Sequence, residues 1–480
     1  MKSADPSPPV LSSLLPDDEA PLYRQIYDRF RLGIAQGLLK PGERVPSARA
    51  LAKELGVARG TVELAYSLLG SEGYVQPRGQ AGTVVAPALH PEALAPTPRQ
   101  AAVQAPAPDL GDPDWPVPAT VLPFQMGLPA LDVFPRKLWA RLGARQLRAM
   151  QMQDLAYPPL GGLPALRQAI AAHLQVARGI PCTPDQVFIT SGYRGSLRMA
   201  IQALLAPGQR VWVEDPGYPP TRAMLAEHGL RAVPVPVDGE GLRVDRGMEI
   251  DGEAHAAVVT PAHHSPLSVA LSLPRRQALL EWAQARGAWV VEDDYDGEYR
   301  YASRPLPALK SLDAQGRVLY AGTFSKVLFP GLRLAYLVVP AAQVARVAAV
   351  HRHCEDGAPG CTQALLAAFM AEGHFARHIQ RMRRLYAQRR ELAAQGLMDV
   401  LGGRMTLAPQ PGGMHLLLRM PGTQSDQALA ARMLANGLYA QPLSRWSNAP
   451  DAESGLLLGF TNIATRQQAS ALGRRILALL

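Results

Sequence analysis

Residues 318–336, VLYAGTFSKVLFPGLRLAY, bring together several groups that could do chemistry. Lys326 follows an apolar strand, Val318-Leu319-Tyr320-Ala321, and a turn of small residues, Gly322-Thr323-Phe324-Ser325. Desolvation disfavours an ammonium, so a lysine hemmed by apolar neighbours has a lowered pKa. A neutral amine there can attack an aldehyde and form a Schiff base. Thr323, Ser325 and Arg333 are donors suited to a phosphate, the arginine through a forked pair of charge-assisted bonds. Amine plus phosphate grip is what pyridoxal phosphate needs. Taken alone, a lysine after a strand is more often a solvated surface residue.

A second stretch, residues 288–296, AWVVEDDYD, is another short apolar strand ending in acids and a tyrosine. A carboxylate at a strand end can pair with a protonated pyridine nitrogen and keep the ring an electron sink. A tyrosine one step later can hydrogen-bond the ring's 3-oxygen. The competing reading is an acidic loop, or a metal site built from Glu292, Asp293 and Asp294. Consecutive acids on a strand point to alternate faces and chelate poorly. With Lys326 following in the chain, the cofactor reading is the stronger one, and no metal is expected.

Alternating strands and helices must position these groups. Apolar runs predict strands over 187–190, 210–214, 232–235, 256–260, 289–292 and 318–320. Helical patterns fall over 137–150, 163–177, 221–228 and 275–286. The alternation predicts an α/β fold with a large, mainly parallel sheet, whose ligand groups sit just after strands. Ser191-Gly192, after Ile189-Thr190, is a candidate phosphate nest. Beyond Pro340 come long helices, including the basic run 377–390, RHIQRMRRLYAQRR, which reads as a solvated helix face rather than a DNA contact. Residues 412–418 and 455–460 read as strands of a smaller C-terminal α/β subdomain.

The N-terminal part has a different pattern. Residues 21–86 hold nine Lys/Arg against five acids. Leu22, Ile26, Phe30 and Ile34 recur at helical spacing. Ser47 can cap a second helix carrying Ala50, Leu51 and Leu55, which stops at Gly56. A third helix turns Val62, Ala65, Tyr66 and Leu69 inward. Two such helices joined by a tight turn form a helix-turn-helix, whose second helix enters the major groove N-terminus first. That end carries Arg59 and Thr61, and Ser47 and Arg49 open the helix before it. Residues 73–75 and 82–85 flank Pro77-Arg78-Gly79 as a two-stranded wing, with Arg78 at its tip. Double-stranded DNA is the expected partner.

Composition bounds the rest. The 480 residues are 48% hydrophobic and 19% charged, which supports a sizeable core. A net charge of +9 permits nucleic-acid binding without demanding it. No apolar run reaches membrane length, and the first residues lack a secretory core, so neither membrane nor export is expected. Cys182, Cys354 and Cys361 lack metal or redox spacing and read as reduced thiols of a cytoplasmic protein. Nine of the 34 residues in 87–120 are proline, which predicts a semi-rigid linker. The expected domains are a disordered tail over 1–20, the winged helix over 21–86, this linker, and a cofactor-binding body over 121–480.

The two chemical stretches, together with residues 211–219, VWVEDPGYP, resemble the fold-type I aminotransferases. The likeness is greatest to the branch fused to a winged helix, the MocR family of GntR-type bacterial regulators. It implies that Lys326 is the Schiff-base lysine, Asp293 the partner of the pyridine nitrogen and Tyr295 that of the ring oxygen. It also implies that Tyr218 stacks on the ring and that Ser191, Gly192, Thr323, Ser325 and Arg333 hold the phosphate. Tyr157 would reach into the neighbouring subunit of a head-to-tail homodimer.

Three departures from the family patterns bear on function. Ala58 stands where a capping Ser or Thr usually opens the recognition helix. The loop 260–267, TPAHHSPL, lacks the amide that usually touches the ring oxygen. His263 or His264 can substitute as donor, or either can be an ordinary satisfied loop histidine. Leu457 occupies the slot of the arginine that clamps a substrate carboxylate, with Arg445 the nearest candidate replacement. Such a site should bind pyridoxal phosphate and process amino acids poorly. The expected function is a pyridoxal-phosphate-dependent transcription regulator, whose effector is the cofactor itself, as in regulators of vitamin B6 synthesis, or an amino acid or amine. The alternative is a working aminotransferase with a DNA-binding or dimerising head.

Overall fold

The computed structural model describes residues 20–79, 82–87, 118–300, 307–353, 358–409, 412–422, 424–449 and 452–480. The expected tail, nearly all of the linker and Cys354 lie outside the described residues. The described residues fall into two compact units, within Met1–Pro108 and within Asp109–Leu480.

In the first unit, α1 (Leu22–Ala35), α2 (Ala48–Leu55) and α3 (Arg59–Ser71) precede a hairpin of β1 (Val75–Pro77) and β2 (Thr83–Val85). Ile26, Phe30 and Ile34 bury one face of α1 against Leu51, Val62, Ala65 and Leu69. Leu22 is exposed, because the apolar stripe begins only one turn into the helix. On α2 the buried pair is Leu51 and Ala52, and Ala50 faces solvent. Ser47 caps α2, its hydroxyl accepting from Ala50 N at 3.2 Å, and Gly56 closes it at φ 66°. Ala58 gives α3 no side-chain cap.

The second unit is built on an eight-stranded sheet of order β3-β10-β9-β8-β7-β4-β5-β6. Its strands are β3 (Val187–Thr190), β4 (Arg210–Asp215), β5 (Arg231–Asp238), β6 (Gly241–Leu242), β7 (Ala256–Val259), β8 (Trp289–Asp294), β9 (Val318–Thr323) and β10 (Ala335–Val338). β5, β4, β7, β8 and β9 pair in parallel, as the alternation predicts. β10 runs antiparallel between β3 and β9. Neither β10 nor the helix Tyr193–Leu204 was legible in the sequence pattern. The first is a four-residue apolar run directly after a turn, and the second interleaves arginines with buried small residues. A four-stranded antiparallel sheet of order β11-β12-β14-β13 forms the smaller subdomain, with strands Thr406–Leu407, His415–Arg419, Gln441–Pro442 and Gly455–Gly459.

Candidate functional site

The site gathers where β3, β8 and β9 end. Asp293 is 7% exposed near the end of β8 and lines a cavity with Tyr193, Glu214, Tyr218 and Arg222. Burial pushes its carboxyl well above the usual range, and Asp294, Glu214 and Asp296 push the same way while Lys326 opposes them. A carboxylate so placed is stabilised by a cation entering the cavity. The pleat separates it from its neighbours. Glu292 accepts the Leu309 and Lys310 amides at 2.9 and 2.8 Å, and Asp294 pairs with the buried guanidinium of Arg178.

Lys326 follows β9 and is half-buried as a residue, with its amine enclosed. Burial lowers its pKa, and Asp296 and Asp293 oppose that shift. Its Nζ donates to Gly127 O at 3.1 Å. A Cβ at Gly127 would stand 2.3 Å from that Nζ and push the amine aside, and the φ of +74° there itself favours glycine. Gly127 is assigned no role in the sequence analysis.

Gly192, at φ +142°, opens the helix Tyr193–Leu204. A Cβ there would lie 3.6 Å from Arg333 Nη2, so the Arg333 guanidinium sits over the Ser191-Gly192 turn. Arg333 itself holds φ 50°, a conformation uncommon for a side-chain-bearing residue and often found at binding sites. Thr323 Oγ1 accepts from Ser325 N at 3.2 Å. A helix N-terminus, a hydroxyl turn and a guanidinium together match a phosphate's charge and lone pairs.

The two histidines divide. His263 Nδ1 lies 3.0 Å from Tyr295 Oη and 2.9 Å from Asp296 Oδ1, next to the residue expected at the ring oxygen. His264 faces Glu214 at 3.7 Å, and burial pulls its pKa down to about 3, so it is neutral. Ser265, which carries no role in the sequence analysis, stands beside the Tyr295 phenol and lowers its pKa against the larger upward effect of burial. The signal was available, since Ser265 is the hydroxyl immediately before Pro266 in the loop that lacks the amide. Glu214 accepts from Thr260 N and Oγ1 at 3.0 and 2.6 Å, and burial raises its carboxyl to about 7.

Tyr218 is 40% exposed at the cavity mouth, 5.8 Å between ring centres from Trp446. Tyr157 is 99% exposed and is not brought to these groups within its own chain. Leu457 is fully buried in an apolar cluster with Leu417, Leu443, Trp446 and Ala408, against which Leu267 packs. Near it, the carbonyls of Arg445 and Trp446 accept from Arg222. In the first unit Ser47, Arg49, Arg59 and Arg78 are exposed and Thr61 is half-buried. Arg59 pairs with Glu63 at 2.8 Å, one turn along α3.

Residues 22–85 match the family described as bacterial regulatory proteins, gntR family, and residues 129–449 match aminotransferase class I and II. The chain is 35% identical over 456 residues to the probable rhizopine catabolism regulatory protein MocR of Rhizobium meliloti, covering 93% of this chain and 91% of that one. It is 36% identical to the HTH-type transcriptional regulator TauR of Rhodobacter capsulatus, covering 89% and 90% of the two chains. The chain belongs to the MocR-type branch of the GntR regulators. Another relative is the HTH-type pyridoxine biosynthesis transcriptional regulator PdxR of Corynebacterium glutamicum, 33% identical over 93% of this chain and 94% of the relative.

Among solved structures, an archaeal alanine:glyoxylate aminotransferase superposes with a TM-score of 0.68 at 25% identity, covering 75% of this chain and 90% of that one. The α-aminoadipate aminotransferase LysN of Thermus thermophilus, complexed with N-(5'-phosphopyridoxyl)-L-leucine, gives 0.67 at 27% identity, covering 75% and 94%. As a member of this branch the chain is a transcription regulator whose body has the fold of pyridoxal-phosphate-dependent aminotransferases.

Proposed function

We propose that the body binds pyridoxal phosphate on Lys326 and that the bound cofactor sets the affinity of the winged helix for operator DNA. The observation that carries this reading is a pairing of opposites. Lys326, Asp293 and Tyr295 converge as cofactor chemistry needs, while position 457 is a leucine buried in an apolar cluster. The residues fit the group: a buried carboxylate aimed into a cavity, an amine depressed by burial, and a guanidinium over a glycine turn.

When bound, pyridoxal phosphate supplies an aldehyde for the lysine and a ring that withdraws electrons through its protonated nitrogen. Asp293 holds a proton or a cation at the end of β8. Tyr295, held by His263, would offer its phenol to the ring oxygen. Tyr218 covers the mouth, and Arg333 with the 191–192 and 323–325 turns takes the phosphate. Tyr157 completes the site of a second copy, so the functional form is a head-to-tail homodimer reading two half-sites. With no guanidinium at 457, amino acids are turned over slowly or not at all, and the cofactor itself is the signal. The PdxR relative, named for pyridoxine biosynthesis, supports control of vitamin B6 synthesis as the output.

The test is a visible spectrum with borohydride capture, a keto-acid assay with common amino acids, and a gel shift with and without pyridoxal phosphate. Covalent capture at Lys326, at most one equivalent of keto acid, and a cofactor-dependent gel shift are expected. Sustained production of keto acid would promote the aminotransferase reading. Cofactor capture with an unchanged gel shift would sink the sensor reading.

A further inference from the structure

The basic run over 377–390 is not uniformly solvated, and its division exposes a second charged surface. The helix His374–Leu401 turns Arg389 inward, where it pairs with Asp132 and is buried. Arg383 pairs with Glu298 at 2.7 Å. Arg377, Gln380, Arg381, Arg384 and Gln388 instead line one exposed stripe along the helix, over a floor of Val133 and Leu385. Their spacing of three or four residues keeps them on one face. Arg381 and Arg384 have no acidic partner among the described residues.

Three residues beyond Val133 begins the helix Arg136–Ala149, with Arg136, Lys137, Arg141, Arg145 and Arg148 all exposed and no acid along its length. The two helices share one core. Phe134 meets His378 at 5.9 Å between ring centres, and Trp139 and Leu138 pack in the cluster that holds Phe375 and Ile379. The acids near this seam are occupied: Asp132 by Arg389, and Glu372 by Arg145 and His374. Together the two helices hold eleven Lys/Arg against two acids, an excess of nine that equals the formal net charge of the whole chain, +9.

We propose that this face of the body, centred on Arg377, Arg381 and Arg384, is a second DNA-binding surface that grips phosphates without reading sequence. The chemistry is that of a polyanion with regularly spaced charges. Guanidinium forks match phosphate oxygens, and the interleaved glutamines can bond sugar and phosphate without adding repulsion. Unpaired arginines concentrated on one face repel one another until an anion neutralises them. A duplex already held by the winged helix stays tethered near the body, so weak contacts gain from a high effective concentration. The surface goes beyond the cofactor-sensor reading and does not depend on it.

The test uses the full-length protein and mixed-sequence duplexes of about 20 and about 60 base pairs, with affinity measured across salt. Arg381→Ala/Arg384→Ala should weaken the long duplex about tenfold and lower the salt slope by about 2, with little change for the short duplex. Arg59→Ala/Arg78→Ala should weaken both lengths, so failure of the winged-helix role is distinguishable from failure of this surface. Urea unfolding followed by tryptophan fluorescence should match wild type in the stripe variant, which checks that the body is folded. Long-duplex affinity and slope unchanged in the stripe variant would overturn the proposal. Loss of transcriptional control with DNA binding intact would also overturn it and assign the face to an acidic protein partner.

Discussion

The winged helix and the lysine site use charge in opposite ways. Arg49, Arg59 and Arg78 stand in water on a small domain whose core is a single apolar cluster. Their value lies in long-range attraction to phosphate, which salt screens. Lys326, Asp293 and Glu214 have been taken out of water, and burial has moved each pKa toward its neutral form. Salt barely reaches such groups, whereas pH and a charged ligand do. One region is therefore tuned by ionic strength and the other by proton and ligand occupancy.

Removing the covalent anchor is the sharpest way to separate the two. Lys326→Ala should abolish borohydride capture of pyridoxal phosphate completely, read by mass spectrometry, while DNA affinity without cofactor stays at wild type. Capture persisting elsewhere on the chain would refute the assignment. Asp293→Asn keeps the shape but removes the charge facing the cavity. Breaking a buried ion pair costs about 3 kcal/mol, so cofactor affinity should fall on the order of 100-fold. An unchanged dissociation constant would remove Asp293 from the site.

The pH response tests burial itself. Glu214 binds its proton more tightly folded, at about 7, than unfolded, near 4.5. Its contribution to stability is therefore full below the unfolded value and is lost as pH rises through the folded one. Full ionisation of such a group costs about 3 kcal/mol. Glu214→Gln should reduce the fall in body stability from acid to neutral pH, followed by urea unfolding on the stacked Trp212–Trp282 pair, 3.9 Å between ring centres. An unaltered pH profile would show that Glu214 is not the group responsible.

The smaller effects lie in the winged helix. Arg78→Ala should lower the salt slope of DNA binding by about 1, with no change in the cofactor spectrum. Ala58→Ser supplies the missing cap of α3 and should stabilise this unit by about 1 kcal/mol. A thermal midpoint that does not rise would mean the hydroxyl fails to reach the free amides of the first turn.

The sequence by itself determined the local features. Ile26, Phe30 and Ile34 at helical spacing, Ser47 before α2 and the apolar runs of β3, β4, β8 and β9 encode their elements through short-range periodicity and capping, which need no distant partner. Lys326, Asp293 and Tyr295 could be singled out because each stands just past or near the end of such a run. Tertiary structure decided what depends on convergence. Gly127 meets Lys326 Nζ across 199 residues, and His263 rather than an amide reaches the Tyr295 phenol. The arginines of the helix His374–Leu401 divide into an inward pair and an outward stripe because Asp132 and Glu298 approach only one side of it. Periodicity tells a residue which face of its own helix it occupies, but only packing decides which face meets an acid and which meets water.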